Sequence, residues 1–571
     1  MEYILDAWTH KLLPLDKRIK GFLHGYRQNI ALLGDDPEEN SYLIESYFSS
    51  GTFPECVRIH LTAAHIGRKE FYKGIIRSVL TTHCPGEHHI DTLINHCSET
   101  LPHTVATIKT AFKKHALHFT DILELITVYL DESDTRCILC IEEFHQLTHI
   151  FKNCFKAFSK FLLLQRNCMV VIACSLPKEG ERILNGELNL LFGNFEKIHL
   201  SDQSFLNSYL FLRERLKSIP LPPFPLSFLI HHTGNNTLYT DYLAEQLTVH
   251  WIREGNSVDL TALFSELLYR RESFFFKKFS SHVSLIEEKH RDARLLLKLL
   301  ISLSEGYMRK KELAESVFCD TREIRHKLAK LTDLNFVQKL GNIYKIKDPL
   351  FSFWLKHVYR TYYDPPTTDP FQRKRIWKLK IEETINIFKE EFYKNTLQKI
   401  LDLVLSFQDD KLKAHSKKYS LPSIQRNTLL SYPHQNLSIL IGEGKEVVFA
   451  GIVERDIADP DMFDFLERGK NIKGKKVRKI FIALGRIPAT SKLIAKKNKL
   501  HAWDIDDLNN LLRIYNKPII SFTPSPAETV AEPPFPAEGQ EAYPGKHTGA
   551  EMPQMSNQSN SRFLSPPDAD V

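Results

Sequence analysis

Between about residues 15 and 200, five short apolar runs alternate with helical stretches, and this alternation restricts the fold more than any other feature of the 571-residue chain. The runs read NIALLG, CVRIHLT, CILCIEEF, CMVVIACS and EKIHL. Strands that are apolar along their whole length need cover on both faces, and intervening helices supply it. The pattern therefore predicts a parallel sheet in an α/β layer arrangement. From about 201 to 285 the chain turns helical. Two helices joined by a turn follow between 290 and 335, then two strand-like pieces, FVQKL and IYKIKD. Alternation returns between about 375 and 520 with LSILIG, EVVFAGIV and KIFIALG.

A chain this long accommodates about three or four domains. Its hydrophobic and charged fractions, 43% and 25%, are those of an ordinary globular protein. The longest apolar run, FLLLQRNCMVVIACSL, is broken by Gln165, Arg166 and Asn167 and is too short to span a bilayer, so no membrane partner is expected. Nine cysteines without paired spacing, and an opening MEYILDAWTHK that is no signal peptide, lead us to expect a cytoplasmic protein. The overall charge of +7 is uneven: residues 522–571 carry net −5, leaving +12 on the rest. That segment also holds nine of the 28 prolines and is expected to be a disordered tail.

The first apolar run leads into GDDPEENS, residues 34–41. A phosphate-binding loop of the pattern G-x-x-x-x-G-K-[ST] needs glycines so that backbone N–H groups converge, a lysine to neutralise phosphate and a hydroxyl for magnesium. Gly34 and Ser41 fit this template, while Glu39 stands at the second glycine and Asn40 at the lysine. Asp35, Asp36 and Glu38 add further anions where a polyphosphate would lie. The same residues also read as an ordinary helix start, with Asp36 as N-cap and Pro37 at the first helical position. About 100 residues later CILCIEEFHQL ends a strand in Glu142 and Glu143. In nucleotide-hydrolysing proteins the first acid there holds magnesium and the second polarises the attacking water. The next strand, CMVVIACS, ends in Ser175, where a polar sensor would face the γ-phosphate.

Taken together with LLFGNFEKIHL and HHTGNNTLYTDYLAEQL, these pieces resemble the archaeal-ATPase-like group of AAA+/STAND P-loop proteins. The resemblance runs over most of residues 15–520, through order and pattern more than through specific motifs. It implies a multidomain α/β protein: a P-loop NTPase-like parallel sheet at 1–200, a helical lid at 201–285 and a winged helix at 286–362. A restriction-endonuclease-like α/β domain at 375–521 and the tail at 522–571 complete it. It also implies a nucleotide site built from Gly34, Asn40, Ser41, Glu142 and Ser175, with Glu143 as the catalytic group of an active member. The chain departs from the family at both phosphate-loop determinants and at the Asp replaced by Glu142. We therefore expect a pseudo-ATPase serving as a scaffold or DNA-associated regulator, with no bound cofactor. The alternative is an ATP-driven switch with an atypical loop that uses ATP and Mg2+.

In DTREIRHKLAKLTDLN, Asp320 or Thr321 caps a helix carrying Arg322, Arg325, Lys327 and Lys330, which form a candidate DNA contact if this helix enters a major groove. Protein partners are the other candidates. A nuclease centre needs an Asp before one strand and a Glu-x-Lys on the next, but here Asn436 and Ser438 stand at the first position, and Glu454 is followed by Arg455. The sheet is expected to outlive the cleavage chemistry. The lysine-rich stretch from Lys470 to Lys499 reads as a phosphate-tracking face or a solvated loop. His83, Cys84, His88, His89, His96 and Cys97 follow no common zinc spacing, so no metal is expected.

Overall fold

The computed structural model describes residues 5–50, 56–64, 66–189, 195–200, 205–255, 257–363, 369–414, 417–472, 476–485 and 487–520. The expected tail at 522–571, and Lys473 and Lys475 of the basic run, lie outside the described residues. The five apolar runs of the N-terminal part are strands β1 (Ile30–Leu33), β2 (Cys56–Thr62), β3 (Arg136–Glu142), β4 (Cys168–Cys174) and β5 (Glu196–His199). They form one sheet in the order β2-β3-β4-β1-β5, every pairing parallel. Every residue of β1 and β4 is buried, as strands covered on both faces must be. Alternate residues of β1 face different cores. Ile30 and Leu32 meet helix α1 (Leu5–Leu23) and helix α2 (Pro37–Ser50), while Ala31 and Leu33 meet the helices between β2 and β4. The sheet is thus a parallel α/β layer covered by helices on both faces.

From residue 205 to 363 the described residues are mostly helical. The helices Thr237–Arg253, Phe274–Lys289, Ala293–Ser304, Lys310–Ser316 and Thr321–Asp333 lead to the antiparallel hairpin β6 (Val337–Leu340) and β7 (Ile343–Ile346). One apolar core runs through all of them and continues into the long helix Pro370–Tyr393 through Trp377, Ile381 and Phe388. A core shared this widely resists rigid-body sliding, because close-packed side chains have no room to shift independently.

A second hairpin, β8 (Asp410–Ala414) and β9 (Lys417–Leu421), precedes a five-stranded mixed sheet. Its strands are β10 (Ile424–Tyr432), β11 (Leu437–Gly444), β12 (Val447–Val453), β13 (Val477–Ala483) and β14 (His501–Trp503). The order β10-β11-β12-β13-β14 is antiparallel as far as β12 and parallel beyond it. Both faces are covered, one by the helix Asp459–Arg468 through Phe465 and the other by the helix Ile505–Ile514 through Leu508 and Leu512. Strand β10 was not anticipated from the sequence. Along its length only the terminal residues are shielded, so it carries no buried alternation to read.

The turn between β6 and β7 is seated against this C-terminal part. Asn342 N donates to Lys411 O (3.0 Å), and Lys411 N donates back to Asn342 Oδ1 (2.8 Å). Behind it, Arg309 reaches the fully buried Asp410 with two bonds (2.8 and 2.7 Å), and Tyr515 Oη donates to the same carboxylate (2.6 Å). Gly341 sits in the turn at φ +76°, where a Cβ would lie 1.8 Å from Lys411 O. Substituting Gly341→Ala should therefore cost clearly more than the roughly 1–2 kcal/mol of a left-handed alanine alone. Gly25→Ala, at φ +93° with nothing within 4 Å, should cost only that backbone amount. Urea unfolding midpoints of the two variants compare the terms directly.

Candidate functional site

The carboxyl end of β1 is where a phosphate loop would stand, and the chain there makes a capped helix instead. Gly34 N donates to Cys174 O (3.1 Å), which fixes the strand end beside β4. Helix α2 already begins at Pro37, so only Gly34, Asp35 and Asp36 separate strand from helix. Asp36 Oδ1 accepts from Glu38 N (3.0 Å) and Glu39 N (3.3 Å). These are the orphan donors of a first helical turn, the groups a phosphate would otherwise engage. The capping reading of Asp36 and Pro37 thus describes the local geometry.

Asn40 lies inside this turn. A Cβ on Gly34 would come within 1.9 Å of Asn40 Oδ1, so the glycine is what makes room for the amide. The Asn40 side chain is buried, and neither amide atom has a hydrogen-bond partner among the described residues. Leaving a buried polar group unsatisfied costs roughly 1–3 kcal/mol.

Each acid of the turn is met by a group from another part of the chain. Lys11 of α1 donates to Glu39 Oε1 (2.7 Å) and to Thr237 Oγ1 (3.0 Å). Lys278, on the helix Phe274–Lys289, reaches both oxygens of Asp36 (2.9 and 3.0 Å) and Glu38 Oε2 (2.6 Å). Lys347, just after β7, pairs with Asp35 Oδ1 (2.7 Å). The side chains of Lys11 and Lys278 are each only 4% exposed, which shields their pairs with Glu39 and Asp36, while Glu38 stays exposed. Amides complete the set. Asn236 Nδ2 donates to Asp36 Oδ2 (2.9 Å), and Thr237 N donates to Glu39 Oε1 (2.8 Å). Asn335, left-handed at φ 66° beyond the helix Thr321–Asp333, donates to Asp35 O (3.1 Å) and Ser175 O (3.3 Å).

Protonation follows from this pairing. Burial pushes the Asp36 carboxyl up, but Lys278 and the helix-turn donors outweigh it and hold it at about 2. Glu38 goes the other way, raised by burial and by the neighbouring Asp36. Burial lowers Lys278, yet the two carboxylates bring it above its ordinary value.

The remaining site residues are also engaged. Ser41 Oγ donates to Glu142 Oε2 (2.6 Å), and His60 Nε2 lies 2.7 Å from Glu142 Oε1. Glu143, at φ 52° where β3 ends, accepts from Ser175 N (2.9 Å) and Ser175 Oγ (2.6 Å). Burial raises its carboxyl. Gly34, Asn40, Ser41, Glu142, Glu143 and Ser175 lie at the ends of β1, β3 and β4. Ser41 bonds Glu142 and Ser175 bonds Glu143, while Gly34 N, Glu142 and Ser175 O also meet Cys174, His60 and Asn335. Sequence reasoning missed Lys11, Asn236, Lys278, Asn335 and Lys347. The available signal was only that four clustered acids in a basic chain need cations.

Elsewhere the candidate residues are divided. Lys327 and Lys330 both bind Asp292 (2.8 and 2.7 Å), which holds that carboxyl far below its usual range, whereas Arg322 and Arg325 are exposed. Arg455 pairs with Asp461 (2.7 Å), and Lys476 and Arg478 pair with Glu446. Among the described residues no group of three His, Cys, Asp or Glu side chains is placed to hold a metal ion.

No family model and no curated protein matches the chain. Among solved structures it is similar to a Walker-type ATPase of Pyrococcus abyssi, at 14% identity over 60% of this chain and 94% of that one, TM-score 0.40. It is also similar to the Aeropyrum pernix ORC2 protein (12%, 61% and 91%, TM-score 0.38) and to the Aeropyrum pernix ORC1 protein in complex with DNA (14%, 61% and 91%, TM-score 0.32).

Removing Lys278 should strand two carboxylates. Lys278→Met is expected to lose about 3–5 kcal/mol of stability, and adding Asp36→Asn with Glu38→Gln should recover most of it. Because Asp36 is depressed in the fold, its contribution is present above about pH 4 and is lost as pH falls toward 2. Melting temperatures from pH 5 to pH 2 should therefore drop further for the wild type than for Asp36→Asn.

Proposed function

We propose that the chain is a pseudo-ATPase of the AAA+/STAND type, a P-loop-fold scaffold whose lid and winged helix are held closed by its own acidic loop. The observation that carries this reading is the pairing of Asp35, Asp36, Glu38 and Glu39 with Lys347, Lys278 and Lys11. In effect the carboxylates take the place of a nucleotide's phosphates. They present fixed anions to cations on the lid and on the hairpin, so closure needs no ligand.

The residues present do not fit a magnesium nucleotide. Asp36 occupies the helix-turn donors, Asn40 fills the space beneath Gly34, and the loop offers no lysine. An incoming phosphate would also have to compete with the loop's acids for Lys11, Lys278 and Lys347, whose pairs are already made. Within this reading the lid occupies residues 201–285, the winged helix 286–362 and a nuclease-like domain 375–521. Glu454 and Arg455 do not supply a Glu-x-Lys, so the last is a structural module.

For a DNA-associated role the support is narrower. Arg322 and Arg325 are exposed on the winged helix, but Lys327 and Lys330 are held by Asp292 and the wing turn is seated on β8. A contact through the two arginines would track phosphate more than sequence, with a shallow salt dependence. In a mobility shift across salt concentrations, Arg322→Ala with Arg325→Ala should remove whatever binding exists.

Phosphate release from ATP should stay at background and be unaffected by Glu143→Gln. Restoring the motif with Glu39→Gly and Asn40→Lys should fail to create activity while Asp36 still caps the helix. Hydrolysis by the wild type that Glu143→Gln abolishes would overturn the proposal and favour the ATP-driven switch.

A further inference from the structure

A cavity of about 690 Å³ runs from the acidic turn to the far side of β7 and the helix Ile505–Ile514. Its two ends differ in charge balance. At the turn, Asp35, Asp36 and Glu39 each have a lysine. At the other end stand Lys345 of β7 and Arg513 of the last helix, brought together from positions 168 residues apart. Lys345 Nζ donates to the main-chain oxygen of Arg513. Among the described residues no carboxylate lies within ion-pair distance of either cation. His231 also lines the cavity, and its Nδ1 is buried without a hydrogen-bond partner among the described residues.

Adjacent half-buried cations without a counter-charge are costly. The groups respond accordingly. Burial and the charge of Arg513 pull the Lys345 ammonium down to about 7. Burial lowers Arg513, and burial, His232, Lys345 and Arg513 together keep His231 neutral. A guanidinium beside an ammonium is the donor set that suits phosphate oxygens, which accept several charge-assisted bonds at once. Asn510 and Asn516 add amides to the same end, and Phe336 and Phe351 add apolar wall. The volume suits a small molecule and is far too confined for a nucleic-acid duplex or a folded partner.

We propose that this end of the cavity binds a small phosphorylated molecule through Lys345 and Arg513, at a site separate from the degenerate phosphate loop. The ligand supplies the missing anion, and in doing so it joins the hairpin to the C-terminal domain. This goes beyond the pseudo-ATPase reading and does not depend on it.

The test uses the full chain in EDTA, with inorganic pyrophosphate and ADP as probes in calorimetric titration and thermal-shift series. Saturable binding and a raised melting temperature with either probe are expected. Pyrophosphate binding would show that the phosphates suffice; binding of ADP alone would narrow the class to a phosphorylated molecule with a larger body. Lys345→Met and Arg513→Met should each weaken binding about tenfold or more, and together abolish the thermal shift. The ligand-free double variant should melt no lower than the wild type, since an uncompensated charge has gone. Absence of binding by both probes at millimolar concentration, or equal binding by the double variant, would overturn the proposal. A second measurement needs no variant: acylation of Lys345, mapped by mass spectrometry on the wild type, should be suppressed by the bound probe. Equal labelling with and without pyrophosphate or ADP would count against the site.

Discussion

Four carboxylates lie within five consecutive residues at the end of β1, from the exposed Glu38 to the buried Glu39. Like charges so placed repel strongly at the low effective dielectric of a partly buried site. They are tolerated because Lys11, Lys278 and Lys347 come in from α1, from the helix Phe274–Lys289 and from the end of the β6–β7 hairpin. The relative placement of the N-terminal sheet, the helix Phe274–Lys289 and the hairpin follows from this compensation. Each lysine must keep its carboxylate, so the segments that carry them are fixed against the sheet. The extensive core that runs from the helices after residue 205 to the helix Pro370–Tyr393 then makes those attachments one mechanical unit.

Compensation within the protein extends to the groups beside the turn. A phosphate loop works because its backbone donors have no protein partner and wait for an anion. Here Asp36 is that anion, delivered by the chain itself one residue before the helix. Ser41, Glu142 and His60 close a second set of hydrogen bonds, and Glu143 with Ser175 closes a third. Ser41, Glu142, Glu143 and Ser175 each have a protein partner, and Asn40, which has none among the described residues, fills the space under Gly34.

The sheet was legible because fully buried strands are written as uninterrupted apolar runs, and all five N-terminal runs became its strands. Asp36 and Pro37 were legible too, since an N-cap and a first-turn proline act within three residues of each other. The lysines were not. Lys11 and Glu39 are 28 residues apart, Lys278 and Asp36 are 242, and Lys347 and Asp35 are 312. No local pattern selects those three cations from 76. The basic face of the helix Thr321–Asp333 shows the same limit from the other side. Arg322, Arg325, Lys327 and Lys330 look equivalent in sequence, and only the fold shows that Asp292 claims the last two. Strand β10 escaped notice because an exposed edge strand needs no apolar alternation.

Separating the hairpin from the N-terminal sheet would mean breaking contacts at both of its ends. Releasing Lys347 and Asn335 from Asp35 and Ser175 would require β6 and β7 to swing away from the sheet. Their turn, however, is tied at its other end by Asn342 to Lys411, with Gly341 packed so closely that no side chain fits. Arg309 and the buried Asp410 reinforce the same junction, and breaking a buried bidentate pair is among the costlier single events in a fold. Opening therefore demands that two interfaces give way together, one ionic and one built on backbone contact.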